Sequence, residues 1–188
     1  TDADKLPDGR ELELETDPKA ADTDGVGLTD GEEVLVYGSN PKDVDTDNDG
    51  LTDGYEVQST HTNPIKADTD GDGLNDKEEL ERYYTDPLKA DTDGDGLNDY
   101  DEVITYTTDP NDYDTDDDGL NDYNEVTIGS DPNDSDTDDD GYIDGVDYYP
   151  LFDAFLLINV EYFEQKEWYE SIWELELGKG DVQFIIYV

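Results

Sequence analysis

The phrase D-x-D-x-D-G-x-x-D-x-x-E occurs four times at a step of 23 residues, opening at Asp45, Asp68, Asp91 and Asp114. A fifth copy opens at Asp136, 22 residues further on, and ends on Asp147 in place of glutamate. Upstream, a copy at Asp22 carries Val26 where the third acid belongs. "DADKLPDGRE" reads as the remainder of a seventh copy, with Lys5 replacing the glycine. Seven units, starting near residues 1, 22, 45, 68, 91, 114 and 136, thus cover 1–149. A repeat of this length implies stacked modules, each too small to bury a face alone and stable only beside its neighbours.

Each unit has a second half. An apolar residue follows the acidic phrase (Val34, Val57, Leu80, Val103, Val126), and a proline turn closes the unit: "SNPKDVD", "TNPIKAD", "TDPLKAD", "TDPNDYD", "SDPNDSD". Proline forbids a helix from running into the next acidic loop. The last loop acid is placed to enter a helix leaving the loop, and D-x-x-E from Asp76 has capping-box spacing. The expected unit is therefore a loop with one to two helical turns and little strand.

The acids sit where a metal needs them. Calcium takes six to eight oxygens, and alternate residues of a tightly curled loop point inward. Three aspartates at alternate positions, glycine sixth, an acid ninth and an acid twelfth match the EF-hand type of calcium loop. Glycine permits the sharp turn. The fourth position (Gly25, Asn48, Gly71, Gly94, Asp117, Asp139) is filled by types that tolerate left-handed backbone. The seventh contributes a carbonyl and leaves its side chain, usually leucine, free to pack.

Composition sharpens this reading. The 188 residues include 56 acids against 10 basic residues, a formal net charge of −46, and are 32% hydrophobic. That is too little apolar surface for one ordinary core and would by itself suggest disorder. Thirty-three of the 56 acids, however, occupy ligand positions of the repeat, which neither a salt-adapted surface nor a disordered tail explains. The charge argues against nucleic acid and anionic membranes as partners, and no apolar run is long enough to span a bilayer. Cysteine is absent and His61 is the one histidine, so zinc and disulfide chemistry lack their residues. Magnesium prefers compact, water-rich octahedral shells. Asn133 in "NDS" meets the glycosylation sequon, a weak signal. The chain contains no methionine and no signal-peptide pattern opens it, so it reads as a piece of something longer.

With these residues in view, "DTDGDGLNDKEELERYYTDPLKA" and "DTDNDGLTDGYEVQSTHTNPIKA" resemble thrombospondin type 3 repeats of the cysteine-free kind found in bacterial and archaeal surface proteins. The resemblance covers roughly residues 1–150. It implies an irregular, calcium-stabilised repeat rod of loops and short helical turns. It also implies a ligand set: Asp45, Asp47, Asp49, Asp53 and Glu56 with the Leu51 carbonyl; Asp68, Asp70, Asp72, Asp76 and Glu79 with Leu74. Asp91, Asp93, Asp95, Asp99 and Glu102 with Leu97 follow, then Asp114, Asp116, Asp118, Asp122 and Glu125 with Leu120. In the last copy the set is Asp136, Asp138, Asp140, Asp144 and Asp147 with Tyr142, where the shorter Asp147 implies a weaker or differently shared site. The copy at Asp22 offers Asp22, Asp24, Asp30 and Glu33 but lacks its third acid, and the first copy is cut. At least about five calcium ions are expected, and about twice that if loops share carboxylates, as some family members do. A true EF-hand domain needs long flanking helices and an apolar eighth residue; here prolines precede the loops and the eighth residue is mostly Asn or Thr.

From Pro150 the composition switches. "INVEYFE" and "VQFIIYV" alternate as strands, and "GKGD" between Leu177 and Val182 reads as a hairpin turn. Residues 150–188 are read as a β-rich segment, part of a β-sandwich or an interaction element for another protein or a second copy. No nucleophile–base set stands apart from the loops, so the chain is not read as an enzyme. The expected role is a calcium-stiffened spacer of a secreted or cell-surface protein. The alternatives are a calcium-dependent adhesion or self-assembly module and the stalk of a secreted hydrolase.

Overall fold

The computed structural model describes residues 2–151. They fall into two units that divide between Tyr113 and Asp114. Among the described residues there is no strand, and regular structure is confined to short helical turns. The expected β-rich segment lies, but for its first two residues, outside the described residues.

In the first unit, α1 spans Asp8–Leu14, α2 Asp30–Glu32, α3 Asp53–Tyr55 and α4 Asp76–Glu78. Three wide π-type turns extend these helices: π1 (Glu33–Tyr37) after α2, π2 (Glu56–Thr60) after α3 and π3 (Glu79–Tyr83) after α4; a fourth, π4, spans Asp101–Tyr106. The second unit has α5, Asp122–Ile128. The helices start one residue earlier than D-x-x-E spacing suggests. The cap is the eighth loop residue: Thr29 and Asn75 accept from the backbone N–H of Glu32 and Glu78, and Asn121 from Asn124. The ninth-position aspartate therefore lies inside the helix, because its carboxylate is bound elsewhere.

The helix ends explain the two repeat lengths. Where the next loop begins 22 residues on, the left-handed residue ending the helix comes four after the twelfth-position glutamate: Glu15 after Glu11, Gly129 after Glu125. Where the step is 23, it comes five after: Gly38, His61, Tyr84 and Thr107, each with its N–H on the carbonyl of Glu33, Glu56, Glu79 or Glu102. The extra residue is thus absorbed as a π-type widening, the usual way a helix takes in a single insertion. The loop on either side keeps its form. An Asx turn then starts at the residue before each proline from Pro18 to Pro132; for example, Asn40, Asp86 and Asp131 Oδ1 accept from the N–H two residues on.

The interior is polar. Buried hydrophobic side chains among the described residues are five leucines, Leu6, Leu28, Leu51, Leu74 and Leu97, one per repeat at the seventh loop position. Leu120 is half-buried and Tyr142 exposed. The largest fully buried side chains are instead acids: Glu11, Glu33, Glu56, Glu79, Glu102 and Glu125, with Asp30, Asp53, Asp76, Asp99 and Asp122. Carboxylates are almost never buried unless something compensates their charge.

Candidate metal centres

Each loop curls around its carboxylates by spending its own N–H groups on them. In the loop at Asp45, Asp45 accepts from Asn48 N–H at 2.8 Å and Gly50 N–H at 3.0 Å. Asp47 Oδ1 accepts from Asp49 N–H at 3.2 Å, and Asp49 Oδ1 from Leu51 N–H at 2.6 Å. The same bonds recur in the loop at Asp68. The turn requires positive φ at the fourth and sixth positions: 64° at Asn48 and 99° at Gly50. Lys5 adopts φ 81° at the sixth position of the truncated first copy, in the region where a side chain is costly.

The ninth acid is braced by the threonine at the second position. Asp76 Oδ1 accepts from Thr69 N–H and Oδ2 from Thr69 Oγ1–H, both at 2.7 Å, and the pair recurs at Asp30, Asp53, Asp99 and Asp122. The same Thr69 Oγ1 accepts from Asn63 N–H at 2.9 Å and so ties the proline turn to the loop. In the last copy Thr137 reaches Asp144 through its N–H alone. The twelfth acid has a partner of its own: Thr62, Thr85 and Thr108 donate to Oε1 of Glu56, Glu79 and Glu102. Both threonine positions escaped the sequence reading. The signal was present, since every loop from Asp22 onward opens D-T-D and the Ser or Thr before each Asx-Pro pair recurs.

Oxygens of the third and twelfth acids above all are left over, and the leftovers converge. Glu33, Glu56, Glu79 and Glu102 each keep a buried Oε2 without a hydrogen-bond partner, and Glu11 and Glu125 keep both oxygens so. At the third position Asp24, Asp47, Asp70, Asp116 and Asp138 each leave Oδ2 unpartnered, as does Asp147 at the twelfth position of the last copy. Oxygens of Asp114, Asp116, Asp118 and Glu125 lie within 4.8 Å of one another, as do those of Asp45, Asp47 and Asp49, and of Asp68, Asp70 and Asp72. The truncated copy, for which the sequence reading named no ligands, gathers Asp2, Asp4 and Glu11. A further set joins two repeats: Asp49 and Glu56 of one and Asp76 of the next.

The electrostatics follow from this crowding. Burial, then repulsion from Asp70 and Asp72, pushes Glu79 up to about 8; Glu56, Glu102 and Glu125 rise to about 8 for the same reasons in their own loops, and so does Glu33, beside Asp24 and Asp53. Burial above all raises Asp49, Asp70 and Asp116 to about 6. By contrast, the exposed Glu32 is lowered by the N–H and hydroxyl of Thr29.

The donor set fits a hard divalent cation. Ligands about 2.3–2.6 Å from a calcium ion are separated by up to about 5 Å across it, which is the span of these oxygen clusters. A cation is what a buried unpartnered carboxylate oxygen lacks. The first, third, fifth and twelfth acids supply the convergent oxygens. The ninth acid, expected as a ligand, has both oxygens engaged by threonine, yet Asp76 still brings one toward Asp49 and Glu56.

Tandem loops of this form, each closed by a short helix and a proline turn, define a repeat array whose interior is built from carboxylates. The bacterial TSP3 repeat model matches residues 22–44, 45–67, 68–90, 91–112 and 114–135. The chain belongs to that family of repeats. Two solved chains are similar over short stretches. A biofilm-associated protein BSP domain is 51% identical, covering 23% of this chain and 7% of its own, with a TM-score of 0.23. A biofilm-associated protein B domain is 49% identical, covering 24% of this chain and 11% of its own, with a TM-score of 0.24. No curated protein matches the chain. No helix among the described residues is long and apolar enough to cross a membrane.

Proposed function

We propose that this chain is a calcium-dependent structural spacer of a secreted or cell-surface protein, without catalytic activity of its own. The observation that carries the reading is the row of fully buried glutamates, Glu33 to Glu125, each with an unpartnered oxygen facing other carboxylates. Calcium binding there neutralises the loop and stabilises the ordered state by mass action. Extracellular modules of this kind bind calcium at about 0.1–1 mM, so the array would set where calcium is plentiful, outside the cell. Sedimentation and scattering with and without calcium test the role. A monomer at both conditions, with a smaller radius in calcium, is expected of a spacer. A calcium-dependent oligomer would favour an adhesion module instead.

A further inference from the structure

The fifth loop acid has a second duty that one copy cannot perform. Asp4 Oδ2 accepts from the N–H of Gly31 in the following repeat at 3.0 Å, and Asp72 Oδ2 from the N–H of Tyr100 in its following repeat at 3.0 Å. In the second unit Asp118 Oδ2 accepts from Gly145 N–H at 2.7 Å. Asp49 serves its junction differently: its carboxylate meets Glu56 of its own repeat and Asp76 of the next, and Glu56 is fully buried with an unpartnered oxygen. At these four junctions the fifth acid thus reaches the following repeat, through an N–H at Asp4, Asp72 and Asp118 and through a cluster of carboxylate oxygens that a cation would join at Asp49.

At the contact between the repeats at 22–44 and 45–67 that residue is Val26. The close contact and the hydrogen bond that join the two there are neutral, although Glu33 lies beside Asp53 of the following repeat. The Val26 carbonyl lies against Gly54 so closely that a Cβ on Gly54 would overlap it, and Gln58 Nε2 donates to the Gly27 carbonyl at 2.9 Å. No carboxylate is present at position 26 to receive an N–H or to complete a shared cation site with Glu33 and Asp53.

We propose that Val26 makes this contact the calcium-labile joint of the first unit, the place where neighbouring repeats separate first as calcium falls. This rests on the calcium reading above and adds an order of events to it. A charge-assisted bond of the kind missing here is worth roughly a tenfold change in an equilibrium. Hydrogen exchange of the full chain at stepped free calcium tests it. Peptides covering 26–33 and 53–58 should lose protection at about tenfold higher free calcium than those covering 72–79 and 99–102. V26D should bring the first pair into line with the second, and D72V should create a second early-opening joint at 72 and 100. Simultaneous loss in the parent chain, or D72V leaving the order of opening unchanged, would overturn the proposal; if V26D does not fold, D72V decides. Protection independent of calcium at every peptide would instead remove the calcium reading itself.

Discussion

Replacing Glu79 with glutamine should move the metal-free and calcium-loaded proteins in opposite directions. Glu79 is fully buried, receives one hydrogen bond from Thr85 Oγ1–H at 3.2 Å, and leaves Oε2 unpartnered among Asp70, Asp72 and Asp76. Without metal its carboxyl is pushed up from 4.5 to about 8, so at pH 7 the folded chain holds a proton that the unfolded chain has released. The gap between 4.5 and pH 7 converts to at most about 3 kcal/mol opposing folding. Glutamine keeps the shape, still accepts from Thr85 and carries no charge, so E79Q should stabilise the metal-free ordered state by up to that amount. In calcium the same change removes a ligand and a charge, so the calcium needed for folding should rise by roughly tenfold or more. Osmolyte-driven folding of metal-stripped protein measures the first effect. Calcium titration followed by circular dichroism measures the second. A substitution that destabilises both states, or neither, would refute the assignment of Glu79 to a cation site.

Further outcomes follow from the same geometry. Glu33, Glu56, Glu79, Glu102 and Glu125 all have folded values raised to about 8, so metal-free stability is greatest below the unfolded value near 4.5 and falls as pH rises through 8. Metal-stripped protein should therefore gain helical signal between pH 8 and pH 5; a flat profile contradicts this. Thr69→Val removes the 2.7 Å bond to Asp76 and the 2.9 Å bond from Asn63, and should cost roughly 2–4 kcal/mol in urea unfolding with calcium present, while Thr69→Ser retains most of it. Lys5→Gly relieves a side chain at φ 81° and should add about 1 kcal/mol to the stability of the first repeat, read as slower local hydrogen exchange.

The loop was legible in the sequence because its spacing is the local pattern of a calcium-type loop: alternate acids, a glycine at the turn, a leucine turned away. The proline turns were legible for the equally local reason that proline ends a helix. What needed coordinates was the bracing. Thr69 could be seen to recur as the middle of D-T-D, but only the folded loop shows it holding both oxygens of Asp76, seven residues on. The helix cap was misplaced by one residue for the same reason: Asp76 looks like a cap until its carboxylate is found to be occupied, which leaves Asn75 to cap. The single-residue surplus in the 23-residue repeats was countable, yet its fate as a π-type turn depends on keeping Glu56 aimed at its own loop while Thr62 reaches it. Ties between repeats, such as Tyr100 N–H on Asp72, span 28 residues and follow from stacking, which no local pattern encodes.

Carboxylates rather than hydrocarbon fill the interior, and the proposed function makes the fold depend on the cations they would gather. Exhaustive removal of divalent metal at neutral pH, followed by hydrogen exchange across residues 22–135, examines this most directly. Loss of protection at the buried glutamates and at Leu28, Leu51, Leu74 and Leu97, restored on adding calcium, is the expected result. Full protection retained without metal would mean that five leucines and a lattice of hydrogen bonds suffice, and that the buried acids have another explanation.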